Sequence, residues 1–432
     1  MPLRLDSRSS NFTALFSNML LESRSNGDDV DEVVKEIISN VRLYGDTALV
    51  DYILQFDGFK TTPKNFLVEE SEIKAGFNAC SKDIIHALEI ARNRIIEFHE
   101  HQIPKDLFFT DSQGLKLGYR WNAIPSVGLY VPGGRAAYPS SMLMGAIPAQ
   151  VAGVKRVVAV VPTPDGILNP LVMAAASVLG LTEVYRIGGA HAIAALAYGT
   201  ETVSRVDKIV GPGNAYVASA KRQVYGDVGI DMFAGPSEIL VIADKQNDPN
   251  WISMDLLAQA EHDESAKAIL ITDDRSFAEK VSKSVEEHLL TLPRSSIARK
   301  SWETYGAIIT IPSLEEAVPL ANQIAAEHVE IATDNAEKLA LGIKNAGAIF
   351  LGRYTPEAVG DYVAGPNHIL PTSGTSKFSS GLGTLDFMKR TSLIGCDENG
   401  LKNVGPIAAS LARAEGLDAH ASSISIRLKP SE

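Results

Sequence analysis

The chain begins with helical periodicity. Within residues 1–60, Val30, Val33, Val34, Ile37, Ile38 and Val41 recur at intervals of three and four, with acids early and basic residues later. A second helical stretch runs from about Ser81 to His101, with Ile84, Leu88, Ala91 and Ile95 on one side. The texture then changes to short β-branched runs that end in turn residues. Val127–Val131 stops at Pro-Gly-Gly, Val157–Val161 at Pro-Thr-Pro and Ile239–Ile242 at Ala-Asp-Lys. Ile269–Thr272 stops at Asp-Asp and Ala348–Leu351 at Gly. Helical segments rich in Ala and Leu, such as Ala190–Tyr198, lie between them. Strands alternating with helices predict βαβ units and an α/β fold with parallel sheets. Unbroken apolar runs predict strands covered on both faces. Residues 371–386 are dense in Ser, Thr and Gly and predict a loop. A helix is predicted near Pro406–Glu415, followed by a short alternating tail, Ser423–Leu428. Such a tail is expected to leave its own domain and pack on another surface.

Composition narrows the function classes. A chain of 432 residues is too long for one core and implies two or three domains. A net charge of −12 argues against nucleic acid and membrane surfaces as partners. It does not exclude an anionic cofactor, because a local loop can hold phosphates. The two cysteines, Cys80 and Cys396, match no metal or redox spacing and offer no disulfide framework. The N-terminus lacks a signal-like apolar core, and no run approaches the ~18–20 apolar residues of a membrane helix. The expected location is cytoplasmic.

Candidate chemistry sits at element junctions. The segment Asp248–His262 reads as a helix with Asp248 as N-cap and Pro249 in the first turn. Gln259 and His262, three apart at its C-terminal end, share a face and could supply two metal ligands. On spacing alone, a surface pair at the negative helix end is the better reading. Glu327 and His328 end another helical stretch, which opens with a possible capping box, Ser313 to Glu316. Pro319 within that stretch implies a kink or a later start. A carboxylate beside an imidazole, just before the strand-like Val329–Thr333, suits acid–base work. The competing reading is a pair of solvated polar residues. Asp361 and His368 bracket Gly365-Pro366 in a loop-like segment, and His420 follows the tail helix. Gln259, His262, Asp361 and His420 form a chemically sensible zinc set that spacing cannot establish. His86, His99, His101 and His288 lie in helical, charged contexts and read as bland.

No G-x-G-x-x-G is present. The nearest approach is Gly211-Pro-Gly213-Asn-Ala-Tyr216, after the strand-like Lys208–Val210. Tyr130-Val-Pro-Gly-Gly134 and Ile187-Gly-Gly-Ala-His191 share the strand–glycine–helix form. Such turns can cradle a phosphate, and each is equally explained as a tight βα turn.

Taken together, several stretches resemble the histidinol dehydrogenase family. They are VGLYVPGGRAAYPSS at 127–141, GGAHAIAALAYGTE at 188–201, DKIVGPGNAYVASAKRQV at 207–224 and AGPSEILVIAD at 234–244. LLAQAEHDESA at 256–266, AAEHVEI at 325–331, VGDYVAGPNHILPTSGT at 359–375 and AEGLDAHASSISIRL at 414–428 complete the series. The resemblance implies a zinc-dependent homodimer that oxidises L-histidinol to L-histidine through L-histidinal, reducing two NAD. It implies that Gln259, His262 and Asp361 bind one zinc per subunit, with His420 donated by the second subunit. His328 would be the base for the hydroxyl proton, and Glu327 would activate water against the aldehyde. Ser237, His368 and Glu415 would contact substrate together with the zinc set and His328, Glu415 again from the other chain. Tyr130 and Asn214 match NAD-contacting positions. His191 stands where the family usually has Gln, and is expected to weaken NAD binding because imidazole offers fewer donors. Ala326 replaces a common Pro and Ser422 a common Arg.

The expected architecture is two Rossmann-like domains plus N- and C-terminal dimerisation arms. Residues 1–26 would form a helical arm, 27–129 and 239–381 a discontinuous catalytic domain, 130–238 an inserted NAD domain and 382–432 a C-terminal arm on the partner. Two rivals remain: a paralogue oxidising another alcohol, such as a sulfonated diol, and a non-catalytic zinc- or nucleotide-binding protein.

Overall fold

The computed structural model describes residues 1–22, 28–133, 138–232 and 235–428. The expected boundary at 26/27 and Gly134 of the Pro-Gly-Gly turn lie outside them. Two parallel sheets organise the chain. The smaller has the order Glu183–Tyr185, Arg156–Val160, Ser126–Tyr130, Lys208–Val210, Gly229–Ile230. The larger has the order Leu3–Asp6, Ala307–Thr310, Lys267–Thr272, Glu238–Ala243, His328–Ala332, Ala348–Leu351. Setting aside the N-terminal strand, both follow the 3-2-1-4-5 order of a Rossmann half. The apolar runs sit where predicted, and Glu238–Ala243 and His328–Ala332 are buried at every position. Covered on both faces, such strands have no use for polar alternation.

Several expectations need correction. The strand Leu3–Asp6, in a region that reads as helical, pairs in parallel with Ala307–Thr310. The N-terminal segment is therefore integral to the larger sheet, and Leu5 and Phe16 join its core. The boundary expected at 129/130 falls inside the strand Ser126–Tyr130. Residues 28–100 pack on the smaller sheet, not the larger. Val34, Ile37 and Val41 lie against Ile193, Leu196 and Val217, while Leu88, Ala91 and Ile95 join Met142, Leu143 and Ile147. A third, antiparallel sheet of Leu107–Thr110, Lys116–Ala123 and Met388–Gly395 was not foreseen. Its first strand is exposed throughout, so it carries no apolar alternation.

The tail also differs. Residues 418–425 are helical and 426–428 form a short 3-10 turn, although their alternation suggested extended chain. The preceding helix is longer than predicted, spanning Glu398–Ala414. Its Gly405 lies against Ile424 and Leu428, so two of the three tail apolar residues find cover within the chain. Ile426 stays exposed, with Ile394, Ile407 and Leu411. Among the described residues, no helix is long and apolar enough to cross a membrane.

Candidate active site

A cavity of about 1200 Å³ lies between the two parallel sheets. The smaller sheet presents its carboxyl-end turns, Tyr130–Gly133 and Gly211–Asn214, as folds of this class do. The larger sheet instead presents its amino ends. Ser237 precedes the strand Glu238–Ala243, and Glu327 immediately precedes the strand His328–Ala332. The polarity reverses because the chain leaves the smaller sheet at Ile230 and enters the larger one at Glu238.

Gln259 and His262 arrive on the helix Pro249–Ala260. The Asp248 side chain caps its first turn by accepting from the Asn250 amide, and Pro249 sits where no amide proton is needed. The surface reading fails for Gln259 and holds for His262, which is exposed. Gln259 is fully buried, its Nε2 3.4 Å from His262 Nδ1, and its Oε1 is buried without a hydrogen-bond partner. His262 lines the cavity. Desolvation lowers its proton affinity, which favours the neutral, metal-binding imidazole.

Glu327 and His328 are set by a sharp reversal. The preceding helix starts at Ala317, after a 3-10 turn, which leaves Pro319 harmlessly in its first turn. The capping box expected at Ser313 is not formed, as that side chain makes no cap hydrogen bond. Ala325 then adopts a left-handed conformation, φ 53°, and the strand begins at His328. A single residue orients both side chains. The Glu238 amide donates to Glu327 Oε2 at 3.0 Å, and the Glu238 carbonyl accepts from His328 Nδ1 at 3.1 Å. With Nδ1 carrying the proton, Nε2 keeps its lone pair. Nε2 is buried, has no hydrogen bond and lies 3.8 Å from Asp361 Oδ1.

The surroundings are rich in buried carboxyls that sequence reading missed. Glu357 Oε1 lies 3.4 Å from His328 Nδ1, and Glu330 and Asp255 lie behind it. Burial raises Glu327, Glu330 and Glu357 well above the usual carboxylate range, and pushes Asp361 up to about 7 and Asp255 to about 6. Burial also holds His328 down to about 3 and His368 to about 4. Carboxyls and neutral imidazoles gathered away from water are a setting in which a divalent cation would favour the ionised acids. His328, Glu357 and Asp361 have ligand atoms within 4.8 Å of one another. That trio shares only Asp361 with the expected zinc set. Gln259 Oε1 is a buried oxygen donor with no hydrogen-bond partner among the described residues, and it adjoins His262. The donor chemistry of Gln259, His262 and Asp361 therefore fits zinc.

His368 completes this wall. Its Nδ1 donates to the Asp361 carbonyl at 2.9 Å, and its Nε2 lies 3.3 Å from Ser141 Oγ. Asp361 sits on the helix Glu357–Tyr362, not in the loop expected for it. On the opposite wall, the Tyr130 hydroxyl accepts from the Gly189 amide at 3.2 Å, and burial pushes its pKa up to about 12. Asn214 caps its own helix by accepting from Val217 N at 3.1 Å. His191 does not line the cavity. It is buried beside the stacked rings of Tyr52 and Phe56, centroids 5.6 and 5.9 Å away, and neither nitrogen has a hydrogen-bond partner among the described residues. Burial holds it neutral, with a pKa of about 3. Glu415 and His420 also stand apart: both are exposed near the C-terminus and neither lines the cavity.

A family profile described as Histidinol dehydrogenase matches residues 21–428. A histidinol dehydrogenase of Rhodospirillum rubrum is 55% identical over 429 residues, covering 99% of each chain. One of Rhodopseudomonas palustris is 57% identical over 428 residues, again covering 99% of each. A crystal structure of histidinol dehydrogenase from Elizabethkingia anophelis superposes with a TM-score of 0.93 at 34% identity, covering 99% of this chain and 98% of that one. The chain belongs to the histidinol dehydrogenase family.

Proposed function

We propose that this protein oxidises L-histidinol to L-histidine through L-histidinal, with NAD as acceptor and zinc as the substrate anchor. The observation that carries this reading is the doubly tethered pair Glu327 and His328, held by the Glu238 peptide in the cavity that His262 and Asp361 also line, with Gln259 against His262. Gln259, His262 and Asp361 would hold the zinc, with the partner subunit's His420 as fourth ligand. Bound zinc would supply orientation of the substrate, and NAD would supply a hydride acceptor. Holding reactants in line can lower a barrier by as much as ~7–11 kcal/mol.

The chain's own groups handle the protons. His328 Nε2 takes the hydroxyl proton as the alcohol is oxidised. Its Nδ1–H stays on the Glu238 carbonyl throughout, which fixes the ring. Glu327 is the base for the water that adds to the aldehyde, a role that requires its carboxylate form. Burial opposes that form, and a bound divalent cation would favour it. His368 and Ser237 contact the substrate, and Tyr130 and Asn214 contact NAD. His191 acts on NAD only indirectly, through the packing of Tyr52, Phe56 and Gly189 around it. The active unit is a homodimer in the cytoplasm, each site completed by Glu415 and His420 of the other chain.

Turnover tests the reading against its nearest rival. The zinc-loaded protein should reduce NAD with histidinol and show no comparable rate with a sulfonated propanediol. The reverse preference would assign the scaffold to the other alcohol, and no NADH from either would indicate a binding protein. About one zinc per subunit is expected, since one four-donor set is available per chain. His262→Asn should lose both metal and activity. Full metal content in that variant, read by atomic absorption, would remove His262 from the ligand set.

A further inference from the structure

We propose that the buried ion pair of Lys221 and Asp231 is a positioning element for the dinucleotide, acting through the turn Gly211–Asn214. The proposal rests on the reading that NAD binds in the cleft beside that turn.

Lys221 and Asp231 form an ion pair whose side chains are 2% and 1% exposed. Together they grip both polar groups of one residue. The Gly211 amide donates to Asp231 Oδ2 at 2.8 Å, and the Gly211 carbonyl accepts from Lys221 Nζ at 2.9 Å. The three residues come from different elements. Gly211 follows the strand Lys208–Val210, Lys221 lies in the helix Ala215–Val224, and Asp231 follows the strand Gly229–Ile230. The pair thus ties the turn both to the helix it precedes and to the neighbouring strand.

Gly211 needs this restraint. Its φ is +111°, a region that side-chain-bearing residues rarely adopt, and a Cβ there would meet the Tyr130 carbonyl oxygen at 2.2 Å. The turn and Tyr130 both line the cleft, and they meet at this glycine. A rotation of the Gly211 peptide would move Gly213 and Asn214 at the helix N-terminus, where a phosphate group is best held. Because Gly211 spends both polar groups on the ion pair, it offers the ligand shape rather than hydrogen bonds. A buried ion pair is a poor device for stability alone, since an apolar pair of similar volume often serves as well or better. Its value here is directional: two charges fix the peptide from opposite sides.

The test uses the zinc-loaded, full-length protein with two variants. Lys221→Met keeps the side-chain stem and removes the ammonium. Lys221→Met/Asp231→Leu removes both charges, so no unpaired carboxylate is left inside. Calorimetry gives the Kd for NADH, steady-state kinetics the KM values and kcat, and circular dichroism the fold and Tm. Lys221→Met loses one hydrogen bond to the turn and the double variant loses both, so the NADH Kd and the NAD KM should rise several-fold in the first and about tenfold in the second. Histidinol KM, and kcat at saturating NAD, should stay within about twofold, because the zinc wall is untouched. An NADH Kd within about twofold of the parent in either folded variant overturns the proposal, whatever happens to Tm. Failure of both variants to fold also overturns it, by making the pair a folding element. If the parent protein itself binds no NADH, the reading of the cleft fails instead.

Discussion

His328→Asn should lower kcat for histidinol oxidation by about 10²–10⁴, the usual contribution of a positioned general base. The substitution suits the site. The Asn amide can still donate to the Glu238 carbonyl that now receives Nδ1–H, so the local chain should hold. What disappears is the lone pair on Nε2, the one ring atom without a hydrogen bond. Glu327→Gln should give a different signature. Glutamine can still accept from the Glu238 amide that now holds Oε2, but cannot become a base. Oxidation of histidinal should therefore slow more than oxidation of histidinol when the two are assayed separately in single turnovers. If Glu327→Gln impaired only the alcohol step, the roles assigned to the two residues would be reversed. Adjacent residues can divide the labour because the strand begins between them, and the peptide of Glu238 holds each from a different side.

Mixing two dead chains should restore activity. His420→Ala and His328→Ala should each be nearly inactive as homodimers. In a heterodimer, one site carries both lesions and the other neither, so activity should return to about half of the parent value by the symmetry of a twofold dimer. Three features point to exchange. His420 and Glu415 are exposed and away from the cavity of their own chain. The proposed donors Gln259, His262 and Asp361 are one short of a four-coordinate zinc site. The C-terminal arm leaves Ile394, Ile407, Leu411 and Ile426 uncovered, which a second subunit could bury. Separated heterodimers that remain inactive would put His420 in its own chain's site and remove the exchange.

The periodicity carried much of the fold. Strands such as Glu238–Ala243 are apolar at nearly every position because helices cover both faces, and that signal survives in sequence. Leu107–Thr110 and Leu3–Asp6 did not stand out, since the first is exposed throughout and the second is an edge strand of four residues. The tail misled because Ser423–Leu428 alternates like a strand yet is too short to resist helix formation against Gly405. In the site, Asp248 and Pro249 announced their helix, but nothing in the spacing of Gln259 and His262 tells that the glutamine is buried and the histidine faces the cavity. Glu238 was invisible for a different reason: it acts through its backbone, and a main-chain contact leaves no mark on residue choice. Glu357 and Glu330 lie far along the chain from Asp255, so only folding brings these acids together. His191 matches an NAD-contacting position by resemblance, and its ring packs beside the stacked Tyr52 and Phe56, outside the cavity lining.

The most direct measurement is the number of NADH formed per histidinol consumed when a limiting amount of substrate is exhausted. Two successive oxidations at one site predict two NADH per histidinol, with histidine as product and little free aldehyde in solution. One NADH per histidinol, with the aldehyde accumulating, would contradict the account.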